Sequence, residues 1–139
     1  MKKIIPIIIL SVSIAGYCQE NEIETYKKAI QNVKDGQCNE AIEKFKSITD
    51  SSDNQKLLKM SYIFNSQCLR KLGKNEESLT SINKAIEIDP DDIASYFDKI
   101  HVLEDMNEYG QIIQLCENLQ KKKISQAQKA NCYYYLGRA

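Results

Sequence analysis

The stretch "GKNEESLTSINKAIEIDP", Gly73 to Pro90, decides the fold class. Leu79, Ile82 and Ile86 follow one another at three- and four-residue intervals, which places them on one face of an α-helix with polar residues between them. A glycine precedes the run and Asp89-Pro90 ends it, because proline lacks the amide a helix needs and pushes the residue before it towards extended backbone. The same layout occurs twice more. "GQCNEAIEKFKSI" from Gly36 and "NEYGQIIQLCENL" from Asn107 also carry a turn residue, two or three polar residues, a small or aliphatic residue, and bulky residues four and seven further on. The three turn residues stand 37 and then 34 positions apart, a period that points to a repeated unit.

Before each of these helices lies another. "SYIFNSQCLRKLG" aligns with "SYFDKIHVLEDMN", Tyr62 matching Tyr96 and Leu69 matching Leu103. Helical faces are also carried by Ala41, Phe45 and Ile48, by Tyr96, Ile100 and Leu103, and by Tyr109, Ile112, Ile113, Cys116 and Leu119. Breaks fall at Asp35-Gly36, Ser51 to Asp53, Leu72-Gly73, Asp89-Pro90, Met106-Asn107 and near Ser125. Helices of roughly 12 to 18 residues fit between them, and nothing alternates with the period of a strand. The expected class is all-α.

A helix pair of this period, with an aromatic residue early in its first helix, a turn glycine, a small residue early in its second helix and "IEIDP" closing it, resembles the tetratricopeptide repeat. The middle unit, about 59–92, matches best through Tyr62, Leu69, Gly73, Ala85 and Pro90, with Ser78 where the family usually has alanine. The third unit, about 93–123, has Asn107 for the turn glycine, Ile112 for the small residue and no closing proline. The first, about 22–53, keeps Gly36, Ala41 and Phe45, and its leading helix fits with Tyr26, Ala29, Ile30 and Val33 inward. The resemblance implies a right-handed α-solenoid of antiparallel pairs, each covering its neighbour's apolar face.

In "ANCYYYLGRA", Tyr133, Leu136, Gly137 and Ala139 occupy the places of the family's first helix, so residues 125–139 read as one more leading helix. A cap on the third pair should show a polar outer face, whereas Tyr134 and Tyr135 give an amphipathic one. Simple capping, a longer array cut short, and a face covered by a partner or a second copy are all open at this point.

The first residues, "MKKIIPIIILSVSIAGYCQE", give a basic head, an apolar middle and small residues, the order of a secretory signal too short to span a membrane comfortably. The expected signal is 1–18, cut after Cys18, with a mature domain of 19–139 in the periplasm or outside the cell. Lipid anchoring through Cys18 is the alternative, and bulky Tyr17 before the cysteine argues against it. Removing 1–18 takes two lysines, so 19 basic residues become 17 against 19 acidic. That near-neutral surface advertises neither nucleic acid nor anionic lipid as a partner.

No CxxC, HExxH, GxSxG, P-loop or GxGxxG occurs, and His101 has no metal-ligand spacing around it. No enzyme, cofactor or metal reading arises. Glu76-Glu77 and Asp91-Asp92 sit at helix starts, where carboxylates suit the helix dipole and cap free amides, and Lys121-Lys122-Lys123 closes a helix for the opposite reason. Outside the signal, Cys38, Cys68, Cys116 and Cys132 remain. In stacked antiparallel helices the start of one second helix lies near the end of the next first helix, bringing Cys38 towards Cys68 and, similarly, Cys116 towards Cys132. Two disulfides and four small buried thiols are the competing readings.

The family lines a concave groove with its first helices and binds extended or helical peptide there. Carried over, the groove candidates are Lys27, Gln31 and Lys34, then Ile63, Gln67, Arg70 and Lys71, then Phe97, His101, Glu104 and Asp105, and last Tyr134 and Arg138. The resemblance implies a groove running from basic to acidic, with Ile63, Phe97 and Tyr134 as apolar anchors. A solvated face of mixed charge is the alternative. Phe64 stands where one family subtype needs asparagine to grip a terminal carboxylate, so that clamp is not expected. The expected function is a non-enzymatic scaffold of a bacterial envelope, binding a protein or peptide. The alternative is a fragment that assembles with itself or with further repeats through its tyrosine-rich last helix.

Overall fold

The computed structural model describes the backbone of residues 8–137 and the side chains of 21–137. The signal reading of 1–18, Cys18 included, and Arg138 fall on residues whose side chains lie outside that range. Among the described residues the chain forms seven helices and no strand: α1 (Ile8–Lys34), α2 (Cys38–Ser51), α3 (Gln55–Lys71), α4 (Asn75–Ile88), α5 (Ile93–Asp105), α6 (Tyr109–Gln120) and α7 (Gln126–Leu136). All six expected breaks separate helices. α1 is the exception in length, at 27 residues, because it runs on through the segment read as leader.

The three turns inside the helix pairs are built alike. Gly36 and Gly73 have φ of 75° and 72°, and Asn107 has φ of 59°. At each, the left-handed residue donates its N–H three residues back, to Val33, Arg70 and Glu104. The next residue donates five back, to Asn32, Leu69 and Leu103. These are Schellman closures, in which a left-handed residue turns the orphan amides onto the last carbonyls of the helix. Asparagine tolerates that conformation better than other residues with a Cβ, so the exchange of glycine for Asn107 keeps the turn intact.

Two apolar clusters lie at the ends of the core, with Ile48, Leu69, Ile82, Ala85 and Val102 also buried outside them. On α1 to α3, buried Ala29, Cys38, Ala41, Phe45 and Cys68 are covered by Tyr26, Ile30, Val33, Ile42 and Phe64. On α5 to α7, buried Ile100, Leu103, Ile112, Cys116, Leu119, Ile124 and Cys132 pack with Tyr96, Phe97, Tyr135 and Leu136. Periodicity identified most of these inward positions, though Tyr109 proves exposed and Tyr96, Leu79 and Ile86 only half-buried.

Between the clusters α3 meets α4 through small residues. Ser66 and Ser78 are buried with hydroxyls 2.9 Å apart, and the Ser78 hydroxyl donates to the Ser66 carbonyl at 2.8 Å. The hydroxyl at the family's alanine position thus has a partner across the helix pair. Ser78→Ala should cost about 1 kcal/mol, because it strands the Ser66 hydroxyl, while the double Ser66→Ala/Ser78→Ala change should recover most of the loss. A urea double-mutant cycle reads this directly; additive losses would show the hydroxyls to be uncoupled.

Polar links tie each turn between pairs to its surroundings. The Ser52 hydroxyl donates to Glu22 at 2.8 Å. Lys59 Nζ lies 2.7 Å from Asp89 and 3.4 Å from Asp92, an arrangement that raises Lys59 and lowers Asp89 relative to their ordinary pKa values through their shared hydrogen bond. The charged residues expected at helix ends stand there, Glu76 and Glu77 in the first turn of α4, Asp92 at the N-cap of α5 and Lys121 at the C-cap of α6, while two contacts differ from expectation. Asp92, at the N-cap of α5, makes no hydrogen bond to a free amide and accepts from the Ser95 hydroxyl instead. Lys122 does not sit in the last turn of α6; it reaches back to the Pro90 carbonyl at 2.6 Å and lies 5.0 Å over the Tyr96 ring.

Candidate interaction face

Besides consecutive helices, the backbones of α1 and α3 and of α3 and α5 lie side by side among the described residues. α1, α3 and α5 therefore adjoin, and the carried-over residues from Lys27 to Asp105 lie on them, with Tyr134 on α7 and Arg138 outside the described residues. Lys27, Gln31 and Lys34 are exposed on α1, four and three residues apart, so they share one face. On α3, Ile63, Gln67 and Arg70 are half-buried and Lys71 is exposed. Phe97 on α5 is half-buried against the second apolar cluster, and His101 is exposed with Nδ1 3.9 Å from Glu104.

Much of this face is occupied with holding neighbouring helices together. Gln67 donates to Asp98 at 3.4 Å, and Arg70 donates to Asp105 at 3.1 Å, joining α3 to α5. Glu104 accepts from the Tyr135 hydroxyl at 3.0 Å, joining α5 to α7. Arg70 and Asp105, assigned to the basic and acidic halves of the face, thus pair with each other. The exposed cations Lys27, Lys34 and Lys71 are distributed over α1 and the end of α3. Spacing alone did not single out Asp98, whose carboxyl is pushed above its usual range by burial, partly offset by Gln67.

Tyr135 was expected outward and Tyr133 inward; the structure reverses them. Cys132 is fully buried against the α5–α6 core, which turns its neighbour Tyr133 about 100° away from it. Tyr133 and Tyr134 are 62% and 56% exposed, while Tyr135 and Leu136 pack inward. Ser125 and Gln128 close the start of α7 with a reciprocal capping box.

Burial, and then the bond to Glu104, pushes the Tyr135 phenol up from 10.0 to about 12. Between those values the unfolded chain gives up the phenolic proton while the folded chain keeps it. Stability should therefore fall as pH rises from 10.0 towards 12. Tyr135→Phe should remove that alkaline loss at a cost of about 1 kcal/mol near neutrality. Urea midpoints followed across the alkaline range check both effects; an unchanged alkaline slope in the variant would rule out Tyr135 as its source.

Phe64 stacks on Phe45 with ring centroids 6.1 Å apart, so the position that a carboxylate clamp would need for asparagine is filled by a core ring. Among the described residues no three His, Cys, Asp or Glu side chains gather as a metal site, and no helix is long and apolar enough to cross a membrane. Comparison of the chain with protein-family models and with curated proteins finds no match.

Proposed function

We propose that this chain is a tetratricopeptide-like helical scaffold, exported to a bacterial envelope, that holds a peptide or protein along α1, α3 and α5 and carries out no reaction. The carrying observation is the contact of α1 with α3 and α3 with α5 while α2, α4 and α6 do not touch one another among the described residues. Where the first helix of each pair packs on both helices of the pair before it while the second helices stay apart, the array curves with its first helices on the inner side. The equivalent left-handed turns at Gly36, Gly73 and Asn107 support the same register in each pair. Exposed Lys27, Lys34 and Lys71 favour an acidic segment, for which half-buried Ile63 and Phe97 supply apolar contact.

The test is selection of a displayed peptide library on the immobilised protein, followed by affinity measurement on the enriched sequences. Acidic sequences should be enriched, and Lys34→Glu/Lys71→Glu should weaken their binding at least about tenfold with helicity unchanged. No enrichment, or binding indifferent to these charges, would overturn the reading.

A second reading is favoured by exposed Tyr133 and Tyr134: the outer face of α7 joins another copy of the chain. Sedimentation across a concentration series distinguishes it. Tyr133→Ser/Tyr134→Ser should reduce the mass only if that face assembles.

A further inference from the structure

Cys38 and Cys68 belong to the first apolar cluster, and Cys116 and Cys132 to the second. None is more than 5% exposed. Cys38 opens α2 and Cys68 lies near the end of α3; Cys116 lies on α6 and Cys132 on α7. Each pair therefore faces across a junction between the second helix of one pair and the first helix of the next. All four are free thiols in the structure, and after burial the neighbouring thiol is the next influence on each of Cys68 and Cys116, which puts Cys38 beside Cys68 and Cys132 beside Cys116. No other His, Cys, Asp or Glu completes a metal site with them among the described residues.

We propose that Cys38–Cys68 and Cys116–Cys132 are two disulfide sites that join successive helix pairs. They lie at the α2–α3 and α6–α7 junctions, one near each end of the described array. The intervening α4–α5 turn has no cysteine and is held by Lys59 with Asp89 and Asp92, and by Lys122 on the Pro90 carbonyl. Bridging residues 38 and 68, or 116 and 132, closes a loop within the chain and removes disorder from its unfolded state.

Each bond forms by loss of two protons and two electrons from a pair of thiols. The acceptor is a disulfide, that of a thiol oxidoreductase or of oxidised glutathione. One cysteine thiolate attacks it to give a mixed disulfide and release a thiol; the second thiolate resolves that intermediate, leaving the acceptor as two thiols. Burial, followed by the neighbouring thiol, raises Cys68 and Cys116 well above the ordinary range, so these two hold almost no thiolate in the folded reduced protein. With none of the four more than 5% exposed, an external disulfide reaches them in the folding chain, before the clusters close.

Trypsin places these four cysteines on four peptides, residues 35–44, 60–70, 100–121 and 130–138, and Cys18 on a fifth, 4–27. The full chain, refolded with reduced and oxidised glutathione, is quenched in acid, unfolded, alkylated without reductant, digested and weighed. The expected result is 35–44 joined to 60–70 and 100–121 joined to 130–138, with alkylation at these cysteines only after reduction. Cys132→Ser should expose Cys116 to alkylation and leave the first linkage in place. Four alkylated thiols in the unreduced sample, glutathione on any of them, or any other linkage would overturn the proposal; a single linked pair would overturn it for the other pair.

Discussion

Phe45→Ala should lower the unfolding free energy by about 3–5 kcal/mol, the range for emptying a fully buried aromatic site. Phe45 is 0% exposed. Its ring stacks on Phe64 of α3, at 6.1 Å and 13°, and meets Tyr26 of α1 edge-on at 6.1 Å; Tyr26 and Phe64 themselves stand 6.4 Å apart. Three helices from two pairs therefore converge on one side chain. Alanine leaves a cavity that cannot be filled without drawing α1 and α3 towards α2. Urea unfolding followed by helicity measures the loss, and a change below about 1 kcal/mol would mean the three rings do not pack together in solution. Phe45→Leu should recover much of the loss, because it retains most of the buried apolar volume.

The second large effect is expected at a position that packs against nothing. A Cβ built at Gly73 meets no atom within 4 Å, yet the residue has φ of 72°. Gly73→Val should therefore cost about 2 kcal/mol through backbone strain alone, since a β-branched residue strongly resists the left-handed region. Asn107→Gly tests the same geometry with the opposite sign. It relieves the smaller strain of asparagine but adds freedom to the unfolded chain, so the net gain should stay below about 1 kcal/mol. Thermal or urea midpoints decide it. A Gly73→Val protein as stable as the parent would mean the turn is not left-handed in solution.

The helix borders were legible because their signals are local. A glycine or asparagine before a polar start, and a proline after an apolar run, act within a few residues. The inward faces were legible for a similar reason: Phe45, Ile82, Ile100, Leu103 and Ile112 recur at helical spacing, and all are buried. Tyr133 and Tyr135 show where periodicity loses resolution. On an 11-residue helix with one fully buried side chain, a rotation by a single residue exchanges the inner and outer tyrosine, and the buried partner opposite Cys132 settles it. The cross-links on the candidate face were illegible in a different way. Arg70 reaches Asp105 and Gln67 reaches Asp98 across 35 and 31 residues, and neither residue type nor spacing says which of several nearby partners such a side chain chooses. The resemblance put the candidates on first helices, and no positional rule says how far their side chains engage one another.

No helix touches one more than two places away along the chain, among the described residues. Each segment consequently knows only its neighbours. Where contacts are this local, a disturbance at one end weakens with every junction it crosses, and unfolding can begin at an end while the middle remains whole. Heritable change is subject to the same locality: a unit can be duplicated, lost or exchanged by refitting the two surfaces beside it, and the rest of the chain need not be rewritten.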